Sequence, residues 1–448
     1  MMLKNYLEKD RSTMNTCVKC VAVACMYVFG HAFFSPLKYL AILSTFTLFV
    51  LDYKEIISMI LFFIPMASIM KFSPSDMTFL NIAIIISVGM LIVMNKRKIG
   101  STELFIGLSF VALLLLKNLL TGFGLPLSYI RIALLLILVP QCIKGYKEGE
   151  VTGEITKIAI CAFAGIVVSA TVGALFVENK VLSEFIASED SFHFGEEIIS
   201  RFCGLSSDPN YFSSLILFAL ALQLYCVVRY NKLLYFLNAV ILSVIGVLTY
   251  SKMFFLIMVV VWAVGIINVI RVKQPTEKEK RKKKILLTIS AICLAAVGVY
   301  ILKSGSIDML LSRFQGNDAS SITTGRSDIW VEYLVAIFDS EKTLLFGATT
   351  NSLLVGIHVT HNTFIQILWK LGLCGFMLIS IWFIYLYRIA RGSFRFHKGS
   401  FLNTLVILLA LTLPLLALDK FFFDELYWYF IVYLLCKTDT EKSLGEKK

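Results

Sequence analysis

Arg201, Lys252, Arg326 and His361 each sit at a polar junction between long hydrophobic runs. Together they form a coherent chemical kit. Fixed cations neutralise a polyanion such as a diphosphate, and a neutral imidazole near pH 7 accepts a proton from a hydroxyl. Arg201 opens "RFCGLSSDPNYF" (201–212). There Asp208 and Pro209 read as an N-cap and first helical residue. Beyond them, Arg201 and Asn210 stand beside a helix start whose free N–H groups and positive dipole end suit an anion. Lys252, in "TYSKMFF" (249–255), occupies a turn between two apolar runs, where snorkelling to headgroups is the plain alternative. Arg326 follows a glycine in "TTGRSDIW" (323–330) at another helix start. His361 and Asn362 lie in "VTHNTFIQILWKLGLCG" (359–375), where a polar segment meets an apolar one. His358 stands one helical turn before His361. With no carboxylate or cysteine at suitable spacing to complete a ligand set, neither a metal nor another cofactor is expected.

The elements that must position these residues are membrane spans. The chain has 448 residues, 58% hydrophobic and 16% charged, with a mean hydropathy of +0.80. Soluble domains average about 25% charged residues, and runs such as "ILLTISAICLAAVGVYIL" (285–302) approach the ~20 apolar residues that cross a bilayer. The fold class expected is an all-α polytopic integral membrane protein, a bundle of about 12–14 transmembrane helices with a helical extracytoplasmic cap. The net charge of +12 does not imply nucleic acid, because the basic residues cluster in short loops between spans. The ten cysteines include one C-x-x-C pair, Cys17 and Cys20, at the start of the first apolar run, and read as small buried hydrophobes. Residues 1–11 are polar and charged and no small-residue cleavage site follows, so no cleavable signal peptide is expected.

Candidate spans fall roughly at 17–34, 36–51, 55–70, 77–94, 101–120, 124–143, 155–177, 209–229, 233–250, 253–270, 285–303, 362–387, 401–418 and 421–437. The basic loops "RVKQPTEKEKRKKK" (271–284) and "RIARGSFRFHKG" (388–399) anchor the cytoplasmic side. Alternation then puts "NKRK" (95–98), "KGYK" (144–147), "RYNK" (229–232) and both termini on that side. The opposite, extracytoplasmic face receives 178–208, the turn bearing Lys252, and a loop over 304–361. Arg201, Lys252, Arg326 and His361 therefore share one face. Within the long loop, "SDIWVEYLVAIF" (327–338) puts Trp330, Leu334 and Ile337 on one helical face, as an amphipathic helix over the mouth of the bundle or in the interface. Charges inside spans are costly and mark a partner or a polar cavity. Arg131, Lys117 and Lys370 are all cationic, and few acids lie at similar depth except Asp419, Asp424 and Glu425. A negatively charged ligand is the simplest partner expected for them, with snorkelling the alternative for Lys117.

Four short patterns in order now carry a resemblance: "R-x-x-G-x-x-x-D-P-N" from Arg201, "T-x-S-K" ending at Lys252, "G-R-x-x-x-W" containing Arg326, and "H-N" at His361. Over roughly 200–376 the chain resembles the O-antigen polymerase and O-antigen ligase superfamily. The resemblance implies a region 201–376 that holds the site, including the loop 304–361. N-terminal spans and a first outer loop (1–200) precede it, and C-terminal spans with a cytoplasmic tail (377–448) follow. It implies transfer of glycan from undecaprenyl diphosphate at the outer face of a bacterial cytoplasmic membrane, without nucleotide sugar, metal or other cofactor. Its partners are a lipid-linked oligosaccharide, membrane lipid and a chain-length regulator or other assembly proteins, and not nucleic acid. Arg201 and Arg326 would hold the diphosphate and His361 would be the base. Members commonly have arginine where this chain has Lys252, which keeps the charge without the bidentate fork. Asp208, Asn210, Asn362, Arg131 and Lys370 are supporting residues.

The absence of a P-loop or glycine-rich phosphate fingerprint fits a donor already activated on its lipid. One base and one clamp on the leaving group suffice for direct displacement with inversion at the anomeric carbon. Polymerisation of lipid-linked repeats, in O-antigen, capsule or exopolysaccharide synthesis, is the first reading, because the span array is long and unspecialised. A ligase that moves finished glycan to lipid A-core or another acceptor is the second. A transporter of lipid-linked glycan would explain the intramembrane cations but not His361 or a cap on one face.

Overall fold

Apolar side chains on every face make a helix that must be buried on every face, and "PNYFSSLILFALALQLYCVVRY" is such a helix. It is the axis of this structure, a computed structural model that describes residues 2–73, 76–122, 126–176, 179–186, 191–194, 197–206, 208–230, 232–271, 325–348, 359–391 and 398–445, with isolated positions between 277 and 288. The expected span at 285–303 lies almost entirely outside the described residues, as do 304–324, 349–358 and His358.

The described helices begin with α1 (Met2–Ala32), α2 (Pro36–Leu51), α3 (Ile56–Phe63), α4 (Phe79–Met94), α5 (Ser101–Thr121), α6 (Leu127–Lys147), α7 (Ile155–Phe176) and α8 (Lys180–Ile186). A hairpin of β1 (Ser191–Phe194) and β2 (Glu197–Ser200) follows. Then come the axial α9 (Pro209–Tyr230), α10 (Leu233–Val247), α11 (Lys252–Arg271), α12 (Arg326–Phe338), α13 (Glu341–Phe346), α14 (Thr363–Arg391), α15 (Lys398–Thr412) and α16 (Asp424–Gly445).

Among the described residues, six helices are long and apolar enough to cross a membrane: Ser101–Leu120 of α5, and α6, α7, α9, α11 and α14. The chain is a helical, multi-pass membrane protein. Helices α2, α4 and α10 and the stretch Leu402–Leu416 are apolar but shorter. Helix α9 packs against α7, α10, α11 and α15, and its Phe218 ring stacks on Tyr429 of α16 at 3.7 Å. Its interior polar groups are satisfied locally. Gln223 Nε2 donates to the Ala159 carbonyl at 2.7 Å and Gln223 Oε1 accepts from Asn238 at 3.2 Å, as low-dielectric surroundings require.

Three departures from the sequence reading have simple causes. The expected span at 55–70 is the short, wholly buried α3 followed by a 3-10 turn, Ile64–Ile69. Pro65 near the start of that turn lacks the N–H that would continue an α-helix. Irregular backbone at such depth is tolerated only inside protein. Ser169 supplies the partners here, donating to the Pro65 carbonyl at 3.0 Å and accepting from the Leu205 N–H at 2.9 Å. Pro414 likewise ends α15 in the 3-10 turn Leu413–Leu416. The all-α expectation also missed the antiparallel hairpin, which pairs Ser191 with Ser200 and Phe194 with Glu197. Its strands carry the aromatic and β-branched residues that favour pleated pairing.

The amphipathic helix expected at 327–338 is α12. It buries Tyr333 and Ile337, with Trp330 and Leu334 packed alongside, against Ile365 and Trp369 of α14. Tyr333 meets Trp369 edge-on at 5.2 Å. It therefore lies along the first half of α14, and Val331, Val335 and Phe338 occupy its exposed side. The seat for α13 is a break in α14 at Gly372, whose φ of +64° suits glycine. A Cβ at Gly372 would stand 2.4 Å from the Leu345 carbonyl, and one at Gly347 would stand 2.7 Å from the Leu371 N–H. Glycine on both sides lets the backbones touch.

Candidate functional site

The site is assembled around a corner, residues 417–423, between the Leu413–Leu416 turn and α16. The Asp419 carboxylate accepts hydrogen bonds from the Thr360 hydroxyl and the Asn362 N–H at 3.0 Å, and a further one from the His361 N–H. Burial pushes its carboxyl above the usual carboxylate range, and these donors pull the other way. The hydroxyl of Thr363 donates to the Leu418 carbonyl at 2.6 Å and accepts from the Lys420 N–H at 3.0 Å. The Asn362 side chain caps α14, its Oδ1 accepting from the N–H groups of Phe364 and Ile365 at 3.0 and 3.2 Å. His361 is thereby held from both sides, with a left-handed φ of +48° and a half-buried side chain.

The first turn of α9 reaches the same corner. Tyr211 donates from its hydroxyl to the Asp419 carbonyl at 2.6 Å. Asp208 caps α9 as its type and the following proline imply, accepting from the N–H groups of Asn210 and Tyr211 at 2.6 and 2.9 Å. Those amides serve the cap. Asn210 Oδ1 accepts from Arg201 Nη2 at 2.8 Å and from the Ser251 hydroxyl at 3.0 Å. Arg201 Nε donates to the Thr249 carbonyl at 3.1 Å. Arg201 is buried, only 6% exposed, and its guanidinium clasps the 249–251 turn to α9. That turn contains Tyr250, also left-handed at φ +48°, and delivers a half-buried Lys252 as the first residue of α11.

Arg326, half-buried at the start of α12, donates to the Ala417 carbonyl at 3.2 Å. Gly325, at φ +78°, makes the entry turn. Trp330 Nε1 donates to the Thr360 carbonyl at 2.9 Å, which ties α12 to the His361 segment. Thus Arg326, His361 and the first turn of α9 all attach to 417–420, and Arg201 and Lys252 attach through Asn210 and Ser251. Tyr250 and His361 are two of the three non-glycine residues with positive φ among the described residues. Such strain persists where surrounding contacts over-determine the backbone, and it clusters at functional sites.

The charges placed in spans find partners inside the chain. Arg131 lies 3.8 Å from Asp424 and donates to the Phe422 carbonyl, so its countercharge is Asp424 and not the anionic ligand expected for it. Lys117 is buried and donates to the carbonyl of Lys370. That carbonyl sits just before the break at Gly372, where helical bonding is interrupted. This replaces snorkelling as the account of Lys117, and Lys370 contributes its backbone there. Sequence reasoning missed Tyr211, Thr360 and Thr363 as members of the network. Asp419 drew attention only as an acid near the last turn; an Asp-Lys pair between two apolar runs was the available signal.

A cavity of about 350 Å³ opens beside the same corner, lined by the Ile64–Ile69 turn, the start of α9 and residues 422–425. No protein-family model matches the chain, and no curated protein sequence matches it significantly.

Proposed function

We propose that the protein is a glycan polymerase that joins undecaprenyl-diphosphate-linked oligosaccharide repeats at the outer face of a bacterial cytoplasmic membrane. The observation that carries this reading is the convergence on one corner. The starts of α9, α12 and α14 bond directly to 417–420, and α11 is clasped to α9, so Lys252, Arg326 and His361 belong to one constellation. The helix starts add positive dipole ends to these cations.

In this reading His361 takes the proton of an acceptor sugar hydroxyl as its oxygen attacks the anomeric carbon. The bond from that carbon to the lipid diphosphate breaks, and its electron pair leaves on the diphosphate. Lys252 and Arg326 neutralise the growing charge, while Arg201 holds the Lys252 turn in register and adds its charge from behind. Asn362, Asp208 and Asn210 fix the helix starts, and neither nucleotide nor metal is needed. Direct displacement inverts the anomeric carbon.

The test is purified protein in nanodiscs incubated with lipid-linked repeat. A ladder of longer lipid-linked glycans with inverted linkages is expected. Transfer only to a foreign acceptor would make the protein a ligase. Movement of the repeat across a bilayer without reaction would make it a transporter.

A further inference from the structure

Outside the candidate site, two thiols meet where α1 packs on α7. Cys17 Sγ and Cys161 Sγ stand 3.3 Å apart, in hydrogen-bonding contact. Cys161 is fully buried and Cys17 is 8% exposed. Cys20, one helical turn after Cys17, bonds to neither sulfur among the described residues. The pair lies at a polar edge of the bundle. Lys19, two residues after Cys17, is exposed and donates to Asp52 at 2.6 Å. Lys157, one turn before Cys161, pairs with Glu55 at 2.7 Å and stands in electrostatic range of both sulfurs. Reactive cysteines sit near cations and retain some exposure, whereas inert ones are sealed in apolar surroundings.

Sulfurs this close are placed to form a disulfide, whose S–S bond requires them to approach by about 1.3 Å more. A hydroperoxide is a sufficient oxidant, and it meets the partly exposed Cys17 first. The Cys17 sulfur attacks a peroxide oxygen: an S–O bond forms, the O–O bond breaks, and the departing oxygen takes the thiol proton and leaves as water. The Cys161 sulfur then attacks the Cys17 sulfur. An S–S bond forms, the S–O bond breaks, and hydroxide leaves with the Cys161 proton as a second water. Two thiols are oxidised by two electrons in all, and one peroxide is reduced to two waters. Because Cys161 is already in contact, this second step outruns further oxidation of Cys17 to a sulfinic acid.

We infer that Cys17 and Cys161 form a peroxide-driven, thiol-reversible disulfide that fastens α1 to α7. The inference stands apart from the glycan-transfer reading. The bond joins residues 144 apart in the chain, and a cross-link that closes a long loop restricts the unfolded chain most. The oxidised protein therefore unfolds at a higher temperature than the reduced one.

The experiment treats full-length protein in nanodiscs with hydrogen peroxide, denatures it, alkylates the remaining thiols and maps the peptides by mass spectrometry. Cys17 and Cys161 are expected to escape alkylation together and to appear in one linked peptide that a thiol reductant separates. The unfolding temperature is expected to rise on oxidation and to return on reduction. Cys20→Ser should form the same link, and Cys161→Ser should stop at a Cys17 sulfenic acid that dimedone traps. The main readout is on the wild-type chain, so it stands even where a variant fails to fold. Free thiols at 17 and 161 after the exposed Cys25 has been oxidised would overturn the inference. So would a link between Cys17 and Cys20, a sulfinic acid at Cys17 with Cys161 still free, or an oxidised protein no more stable than the reduced one.

Discussion

Replacing Asp419 separates its geometry from its charge. In Asp419→Ala, the Thr360 hydroxyl and the N–H groups of His361 and Asn362 lose their common acceptor in a buried setting. Unpaired buried donors cost about 1–3 kcal/mol each, and broken buried networks typically about 3–5 kcal/mol in all. Taking about 3 kcal/mol for local opening gives about a 150-fold rise in the opening equilibrium. Hydrogen exchange of a peptide spanning 359–366 reads it directly, because the Asn362, Phe364 and Ile365 amides are protected by this arrangement. Asp419→Asn keeps an acceptor oxygen in place and removes the charge that burial disfavours, so its exchange should stay within a few-fold of wild type. The pH dependence follows the same logic. A carboxyl whose folded value is raised above the ordinary 3.8 contributes stability that is full below 3.8 and is lost as pH rises through the folded value. Protection of this segment should therefore improve on mild acidification in wild type, and Asp419→Asn should flatten that slope. Wild-type exchange in Asp419→Ala would refute the corner as the element that holds His361.

Other substitutions probe the supports separately. Gly372→Ala forces a left-handed φ on alanine and sets a Cβ 2.4 Å from the Leu345 carbonyl; a loss of about 2–3 kcal/mol is expected, read as early thermal unfolding with a change in tryptophan fluorescence from Trp330 and Trp369. Gly173→Ala puts a Cβ 2.5 Å from the Gly204 carbonyl, so it should displace the 201–206 segment and lower stability and glycan transfer together. Asp208→Ala removes the cap of α9 at a cost of about 1 kcal/mol; thermal unfolding should fall modestly while the anomeric outcome of transfer stays unchanged.

The parts legible in the sequence were those encoded locally. Asp208-Pro209 announced the start of α9, Asn362 the start of α14, and the spacing of Trp330, Leu334 and Ile337 the packed face of α12. Local signals also account for some misses: Pro65 and Pro414 each convert an expected span end into a 3-10 turn. What could not be read were pairings between residues remote in sequence. Arg131 was recognised as a costly charge, yet its partner Asp424 arrives from the last helix. Arg201 was recognised as a cation near a helix start, but its clasp on Thr249 and Asn210 depends on how α9 and α10 meet. Periodicity reports which face of a helix is buried and says nothing of which polar groups meet there.

The central claim is that His361 is the base of a glycan-transfer site. His361→Asn tests it most directly, since asparagine tolerates the left-handed φ of +48° and keeps a polar side chain without a basic imidazole. Purified wild type given undecaprenyl-diphosphate-linked repeat is expected to produce a ladder of lengthened glycan, and folded His361→Asn to produce none at pH 7. A ladder from His361→Asn at the wild-type rate, or no transfer by folded wild type, would contradict the account.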